Sequence, residues 1–567
     1  MEIYDNYALN FGGGIYAAAG GGFVNNLSFD PVNRCSIYNN RSGAGQDIYI
    51  QDATSDQNVF LDTFSVADPT TYYAIFRTHN DADYQMSIDI QNAHHPEINQ
   101  DLYVSPDGDD SNDGLSPNNP LRTIHEGIYR IAADSLSQKT VHLMPGTYSR
   151  TANDQVYPIA LKSWVKVQGS GIDTTEVVGE PHPLIPSGYG SADATFMSYL
   201  EPVLWLSDLS ITTTNTDNGN AIIVLLRGSI NLFNIRIHDV SPNYVPSVLL
   251  WLSNEHDSVW DNVIIENEIT PNKGLINVEG RMSGRISNSK FRNATSTYTS
   301  ASVWAYPLVL FRGDRSLTFE NCEFSNLIMS DDDSYAIAVG GVQSPQQQNN
   351  FSFINCLFSN NTSQAGIMLA ASSNYPDINF TNCTFAGNES DTYTIMVNGN
   401  VNITNTIFEN DTPYQIRVNP MAAMETTTLN IDYSSIKDGI MGIQQAAGNT
   451  INYAATNIDS DPLFLGGTDP TDPLYYSLSE LSLCIDTGIP DISGLNLPPY
   501  DLVGNWRIWN GRIDMGCFEY GSEPWVSTDD PVVPELGQVA LLQNYPNPFN
   551  PTTTISFSIP AGMQCSL

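Results

Sequence analysis

The sequence predicts an all-β chain built around a right-handed parallel β-helix, a solenoid of stacked coils. Three observations lead there. A degenerate repeat keeps one internal register through nine units, its apolar positions alternate as in half-buried strands, and one position in each unit calls for a bend.

The repeat reads apolar-x-apolar-x-Asn-x-x-apolar, as in LTFENCEF, FSFINCLF, INFTNCTF and VNITNTIF. Its pivot falls on Asp208, Asn234, Asn262, Asn288, Asn321, Asn355, Asn382, Asn405 and Tyr433, in steps of 26, 28, 26, 33, 34, 27, 23 and 28 residues. Two positions before the pivot stand Leu206, Leu232, Trp260, Ile286, Phe319, Phe353, Phe380, Ile403 and Ile431. Three positions after it stand Ile211, Ile237, Ile265, Phe291, Phe324, Phe358, Phe385, Phe408 and Ile436. A strand alternates faces with period two, so both sets lie on one buried side only if the pivot breaks the alternation. Asn tolerates the left-handed backbone that such a break needs. Each unit therefore reads as strand, one-residue bend, strand. Such a corner cannot bury its inner face alone, and stacking like corners buries it while laying Asn over Asn and Phe over Phe. An antiparallel sandwich does not explain the constant register, and leucine-rich-repeat spacing is absent. Cys322, Cys356 and Cys383 share the position after the pivot with Ser289, Thr406 and Ser434, which points to small buried side chains rather than a metal or redox ladder.

Composition narrows function by exclusion. Acidic residues outnumber basic ones 62 to 22, for a formal net charge of −40 in 567 residues. Phosphate backbones and anionic membrane surfaces need cations this chain lacks, so nucleic acid is excluded as a partner. A hydrophobic content of 41% argues against disorder over most of the chain. No apolar run approaches the length of a membrane-spanning helix. The seven cysteines are scattered, with no CxxC spacing, and whether Cys484 and Cys517 pair is left open.

Further segments carry resemblances. FGGGIYAAAGGG and RCSIYNNRSGAGQDIYI, with Cys35 in the repeat register, resemble coils of polymorphic outer-membrane-type β-helix proteins. Residues 1–97 are accordingly expected to be the C-terminal remnant of a preceding β-helix. DLYVSPDGDDSNDGLSPNNPLRTIHEGIYRI, VHLMPGTYS and WVKVQGSGI resemble the opening of pectin-lyase-like β-helix proteins, which implies a main helix over 98–457. A capping helix would start near Pro120 and Thr123. IDSDPLF, YYSLSELSLCIDTG, YDLVGNWRI and GRIDMGCFEY match in order a choice-of-anchor Q module, which implies a C-terminal cap over 458–520. A linker follows at 521–538. Asn544, Tyr545, Pro546, Asn547, Pro548, Phe549, Asn550 and Pro551 resemble the sorting motif of type IX secretion, so 539–567 would begin a β-sandwich sorting domain. That resemblance implies a bacterial protein, secreted or held at the outer cell surface, with the type IX machinery as a partner of the full-length parent. The first residues lack the basic and apolar regions of a signal peptide. Truncation at both ends is the expectation.

Three places could carry chemistry. Asp107, Asp109 and Asp113, with Asp110 and Asn112, form an acidic Gly-containing loop able to offer oxygen ligands to calcium, although without EF-hand spacing. The competing reading is an Asx-rich turn before the capping helix. Asn215-Thr216-Asp217 matches one motif of polygalacturonase-type glycosidases, but the remaining motifs that paired-carboxylate hydrolysis requires do not follow. A lyase-type site would need cations such as Arg236, Lys290 and Arg292; Lys290 and Arg292 flank inward Phe291 and point outward at a spacing that suits an acidic sugar, although exposed cations are usually solvated surface. His94, His95 and His125 show no zinc pattern. No catalytic residue is assigned. The expectation is a non-catalytic, adhesin-like or glycan-binding scaffold, with a polysaccharide lyase or glycoside hydrolase acting on an extended acidic glycan as the alternative.

Overall fold

The computed structural model describes residues 1–525, apart from 9, 19–26, 181–193, 215–222, 227, 241–247, 253–256, 271–273, 281–282, 297–306, 314–315, 331–334, 342–349, 372–376 and 419–425; beyond 525 it describes Ala540–Leu541 and Phe557–Ser558. The chain is a right-handed parallel β-helix. Strands before and after the pivots merge into one 21-stranded parallel sheet, and the third side of each coil adds a strand to an 11-stranded sheet.

Every pivot adopts the left-handed conformation, with φ between 48° and 58° from Asp208 to Tyr433. A second bend recurs five residues later, at Asp239, Asn267, Asn293, Asn326, Asn360, Gly387 and Asp438, again with positive φ. The sequence carries this second ladder as a constant five-residue offset, which the single-pivot pattern overlooks. Inside the first corner the rings stack coil on coil. Phe324 and Phe358 lie 4.9 Å apart and Phe358 and Phe385 4.3 Å, both within 3° of parallel. A second column runs through Phe319, Phe353 and Phe380. Each such pair adds about 0.5–1.5 kcal/mol beyond its area burial.

The position after the pivot needs more than small size. Cys322 Sγ donates to the carbonyl of Glu320, Ser289 Oγ to Ser287, Thr406 Oγ1 to Thr404 and Ser434 Oγ to Asp432, each two residues back. Cys356 and Cys383 repeat the bond. A compact donor closes the corner, and a thiol serves as well as a hydroxyl.

Before the main stack, the described residues up to Ala93 form parallel coils of their own. Glu2–Tyr4, Cys35–Tyr38, Gln57–Phe64 and Met86–Ala93 make one sheet, and Ile15–Ala17, Ile48–Ala53 and Ala74–Thr78 the other. The helix Ile124–Arg130 begins at Thr123, whose hydroxyl accepts from the Glu126 amide at 3.2 Å. Ile124 and Ile128 are buried in the core that continues through both stacks. Gly127 is required for this close approach, because a Cβ there would stand 2.8 Å from Val141 Cγ1. On the side of the first stack, Tyr129 Oη receives the Asn39 amide and bonds Ser65 Oγ.

The segment after the last coil runs back along the flank. Tyr476, Cys517 and Phe518 pack on Leu357 and Ala386, while Leu478, Cys484 and Met515 pack on Ile407. Its backbone substitutes for neighbouring rungs of the Asn ladder: Asn355 Nδ2 donates to Tyr500 O, and Asn382 Nδ2 to Asp514 O and Gly516 O. Cys484 and Cys517 are free buried thiols in separate clusters.

Candidate functional site

Strand alternation turns two positions outward on each side of a pivot. After the pivot these positions lie two and four residues on. In the earlier coils they include Arg236, Glu266, Lys290, Arg292 and Glu323. Arg236 Nε and Arg292 Nε donate to opposite oxygens of Glu266, each at 2.8 Å. Burial pushes the Glu266 carboxyl up, but the guanidinium of Arg292 and then that of Arg236 hold it below the usual carboxylate range. Lys290 Nζ lies 3.8 Å from Glu323 in the next coil, and Arg285 bonds Glu320 at 2.6 Å. Lys290 and Arg292 thus do point outward, as the sequence requires, yet each faces a glutamate that neutralises it. Glu266 and Glu323 were legible as partners, since both occupy the outward register of an adjacent coil. In later coils the same positions become Leu357, Thr384, Ala386 and Ile407, and the C-terminal segment covers them.

The outward positions before the pivot also change along the axis. Toward the C-terminal end, Asn402 donates to Asn379, Asn430 to Asn402 and Asn452 to Asn430, at 2.7–2.9 Å, so the amides satisfy one another. Toward the N-terminal end, the same face carries rings. Tyr103 stacks on His142 at 5.1 Å, and Trp164 lies 5.9 Å from Trp205. Phe233 is 36% exposed. The repeat pattern scores inward positions, which is why it passes over these outward aromatics.

The acidic loop before the capping helix does not converge on a point. Asp110 accepts from the Arg122 and Thr123 amides, Asp109 from Ser111, and Asp113 from Leu115 and Asn119. These backbone bonds hold Asp109 and Asp113 below the usual carboxylate range. The geometry is that of successive Asx turns, with Asp110 bracing the start of the helix. Among the described residues, no three His, Cys, Asp or Glu side chains come together in a way that could hold a metal. Asn215-Thr216-Asp217 and the motif Asn544–Pro551 lie outside the described residues.

A depression of about 260 Å³ opens beside Glu389, Asp391 and Asp411, rimmed by Thr362, Ser363, Gln364 and Ser390. Its lining contains carboxylates but no histidine or cation to complement them.

A group of ionisable side chains gathers between the two stacks, with Lys162, Glu201 and His125 buried. Lys162 Nζ is fully enclosed, 2.7 Å from Glu97 and 2.7 Å from the Ile131 carbonyl, over the rings of Tyr72 and Tyr73. Burial lowers its pKa, and Glu97 offsets part of that shift. Glu201 accepts from Thr71 and the Ser163 amide. His125 is buried with both ring nitrogens unbonded, and burial holds it well below the usual histidine range. His95 is pushed down to about 4 by the same cause. This cluster joins the stacks.

Comparison with known proteins follows the fold. A family model described as a right handed beta helix region matches residues 274–458, and one described as a protein of unknown function (DUF1565) matches residues 106–296. Among solved structures, pectate lyase Pel9A is similar at 13% identity, with 75% of this chain and 97% of that one covered and a TM-score of 0.41. A rhamnogalacturonan lyase is similar at 13% identity, covering 68% of this chain and 96% of that one, with a TM-score of 0.34. No curated protein matches the chain. No helix among the described residues is long and apolar enough to cross a membrane.

Proposed function

We propose that this chain is a non-catalytic, extracellular β-helix scaffold that binds glycans at the bacterial cell surface or after release from it. The observation that carries the reading is the Arg236–Glu266–Arg292 clamp. A lyase needs cations free to neutralise a uronate and a base to take its proton, whereas these guanidinium groups are committed to a structural carboxylate. Long parallel faces, one ringed with aromatics, supply area for an extended ligand instead. Delivery by type IX secretion is part of the proposal and rests on the motif Asn544–Pro551.

The alternative, a glycoside hydrolase, would sit at the depression of Glu389, Asp391 and Asp411, which offers paired carboxylates but no ring to hold a sugar. Incubation with neutral and acidic polysaccharides separates the two readings. Retention of a polysaccharide without new reducing ends or unsaturated uronates supports the scaffold. Turnover lost on Asp411→Asn would establish the hydrolase.

A further inference from the structure

We infer that the aromatic strip at the start of the main stack, formed by Tyr103, His142, Trp164, Trp205 and Phe233, is the glycan-binding face, and that it takes a neutral polysaccharide laid along the helix axis. The inference rests on the scaffold reading and assigns it a place and a ligand class.

Register defines the strip. Tyr103 pairs with His142, His142 with Gln168, Gln168 with Ser207 and Ser207 with Phe233, so one outward column crosses five strands. Four inter-strand steps span roughly 19 Å. Beside it, Lys166 pairs with Trp205 in a second outward column. Lys166 is exposed, and the rings of Tyr103, His142, Trp164 and Trp205 are half-exposed. The strip is therefore a run of half-exposed rings, Tyr103 stacked on His142 and Trp164 tilted against Trp205, followed by Phe233, with polar side chains between them.

That pattern matches sugar chemistry. A pyranose offers a face of C–H groups to a ring and hydroxyls at its edge. Rings with an apolar body beside polar groups suit a ligand that is half apolar and half wet. Between the rings stand the ammonium of Lys166, with three donors, and the amide of Gln168. Asn379, Asn402, Asn430 and Asn452, farther along the same face, are bonded to one another and present no ring.

Charge selects the neutral class. A formal net charge of −40 repels a polyanion along its whole length. Asp101, 3.3 Å from His142, and Asp208, bonded by Gln168, add negative charge at the strip itself. Lys166 offsets only part of that charge, and the guanidinium groups of Arg236 and Arg292 stand on the neighbouring face, bound to Glu266.

Affinity electrophoresis of the full chain tests the inference, using a mixed-linkage glucan, a galactomannan, a xylan, polygalacturonate and alginate. Retardation by a neutral polysaccharide is expected, and it should persist in 0.5 M salt as a contact without ion pairs would. Trp205→Ala should weaken it about tenfold or more, the scale of one lost stacking contact with its burial. Trp205→Phe, with an unchanged melting temperature, should weaken it less, which separates lost contact from lost fold. Asn402→Ala should leave it unchanged. Neutral binding indifferent to Trp205→Ala and Tyr103→Ala would overturn the strip and leave the scaffold reading standing. Salt-labile binding confined to the two polyuronates would overturn the neutral class. Retardation by none of the five would overturn the scaffold reading and the strip with it.

Discussion

Arg507, 152 residues beyond the pivot Asn355, places its Nη1 3.3 Å from that residue's side-chain oxygen. The guanidinium also donates to the carbonyls of Asp514 and Gly516 and faces Glu519. Arg507 and Glu519 are both buried. The corner that builds each coil thus also anchors the segment that closes the flank.

Arg507→Met leaves the buried carboxylates of Glu519 and Asp514 without their cation. Breaking a buried pair from one side costs about 3–5 kcal/mol. Burial already pushes both acids up against the pull of Arg507, so losing the guanidinium makes them take up protons more readily in the variant. The expected outcome is protease cleavage within 458–525 at concentrations that spare the wild type, while the coils persist by circular dichroism. Loss of all β signal in the same step would show that flank and coils are one cooperative unit.

At the pivots, backbone conformation should matter as much as hydrogen bonding. Asn382 is buried at φ 52° and donates to two carbonyls of the C-terminal segment. Asn382→Gly keeps the conformation and loses the bonds, whereas Asn382→Ala loses both. Alanine should be the worse of the two by about 1–2 kcal/mol in urea unfolding. Equal losses would mean that the bend is held by its neighbours rather than by the residue.

Cys322, Cys356, Cys383, Cys484 and Cys517 are buried. Burial pushes the thiols of Cys322 and Cys356 well up and that of Cys517 to about 12, so no thiolate forms near neutral pH. Native protein treated with iodoacetamide should leave all five unmodified by peptide mapping, and denaturant should expose them together. Cys356→Ser should cost less than Cys356→Ala, because serine retains the bond to the Ile354 carbonyl.

The junction between the stacks should respond to pH with a defined sign. Burial raises Asp47 to about 7, above its unfolded value, while Asn40 donates to one of its oxygens. The folded state therefore holds the Asp47 proton more tightly than the unfolded chain. Its contribution is full below about pH 4 and falls by roughly 4 kcal/mol as pH rises to 7. His125 acts oppositely, since its folded value is depressed and stability is lost as pH falls below the unfolded value. Asp47→Asn should raise the melting temperature at pH 8 and bring little change at pH 4. His125→Leu should help most at pH 5. An Asp47→Asn effect independent of pH would show that the carboxyl ionises freely in the fold.

Glu266→Gln weakens the hold on Arg236 and Arg292 and leaves their two positive charges without a counter-charge. The variant is expected to gain salt-sensitive binding to polygalacturonate in affinity electrophoresis. No gain would mean that the guanidinium groups are held away from ligands by more than that glutamate.

Much of this architecture was legible because stacked coils repeat their constraints. The pivots, the phenylalanine columns and the helix start at Thr123 all follow from local pattern. The C-terminal segment resembles a cap, but its place on the flank depends on Leu357, Ala386 and Ile407, whose apolar outward side chains make sense only once the register is drawn. The acidic loop suggested a metal because side-chain composition does not reveal that backbone amides face the same carboxylates. The site was the least legible part. Tyr103, His142, Trp205 and Phe233 are distant in sequence and share a face only through the stacking of five strands.

If the helix holds a glycan without transforming it, a retained polysaccharide keeps its chain length. The most direct measurement follows the chain length of a polysaccharide that the protein retains, by size-exclusion chromatography with light scattering during prolonged incubation at equimolar protein. Retention with an unchanged molar-mass distribution is expected. Progressive shortening, lost when Glu389 or Asp411 is replaced by its amide, would contradict it.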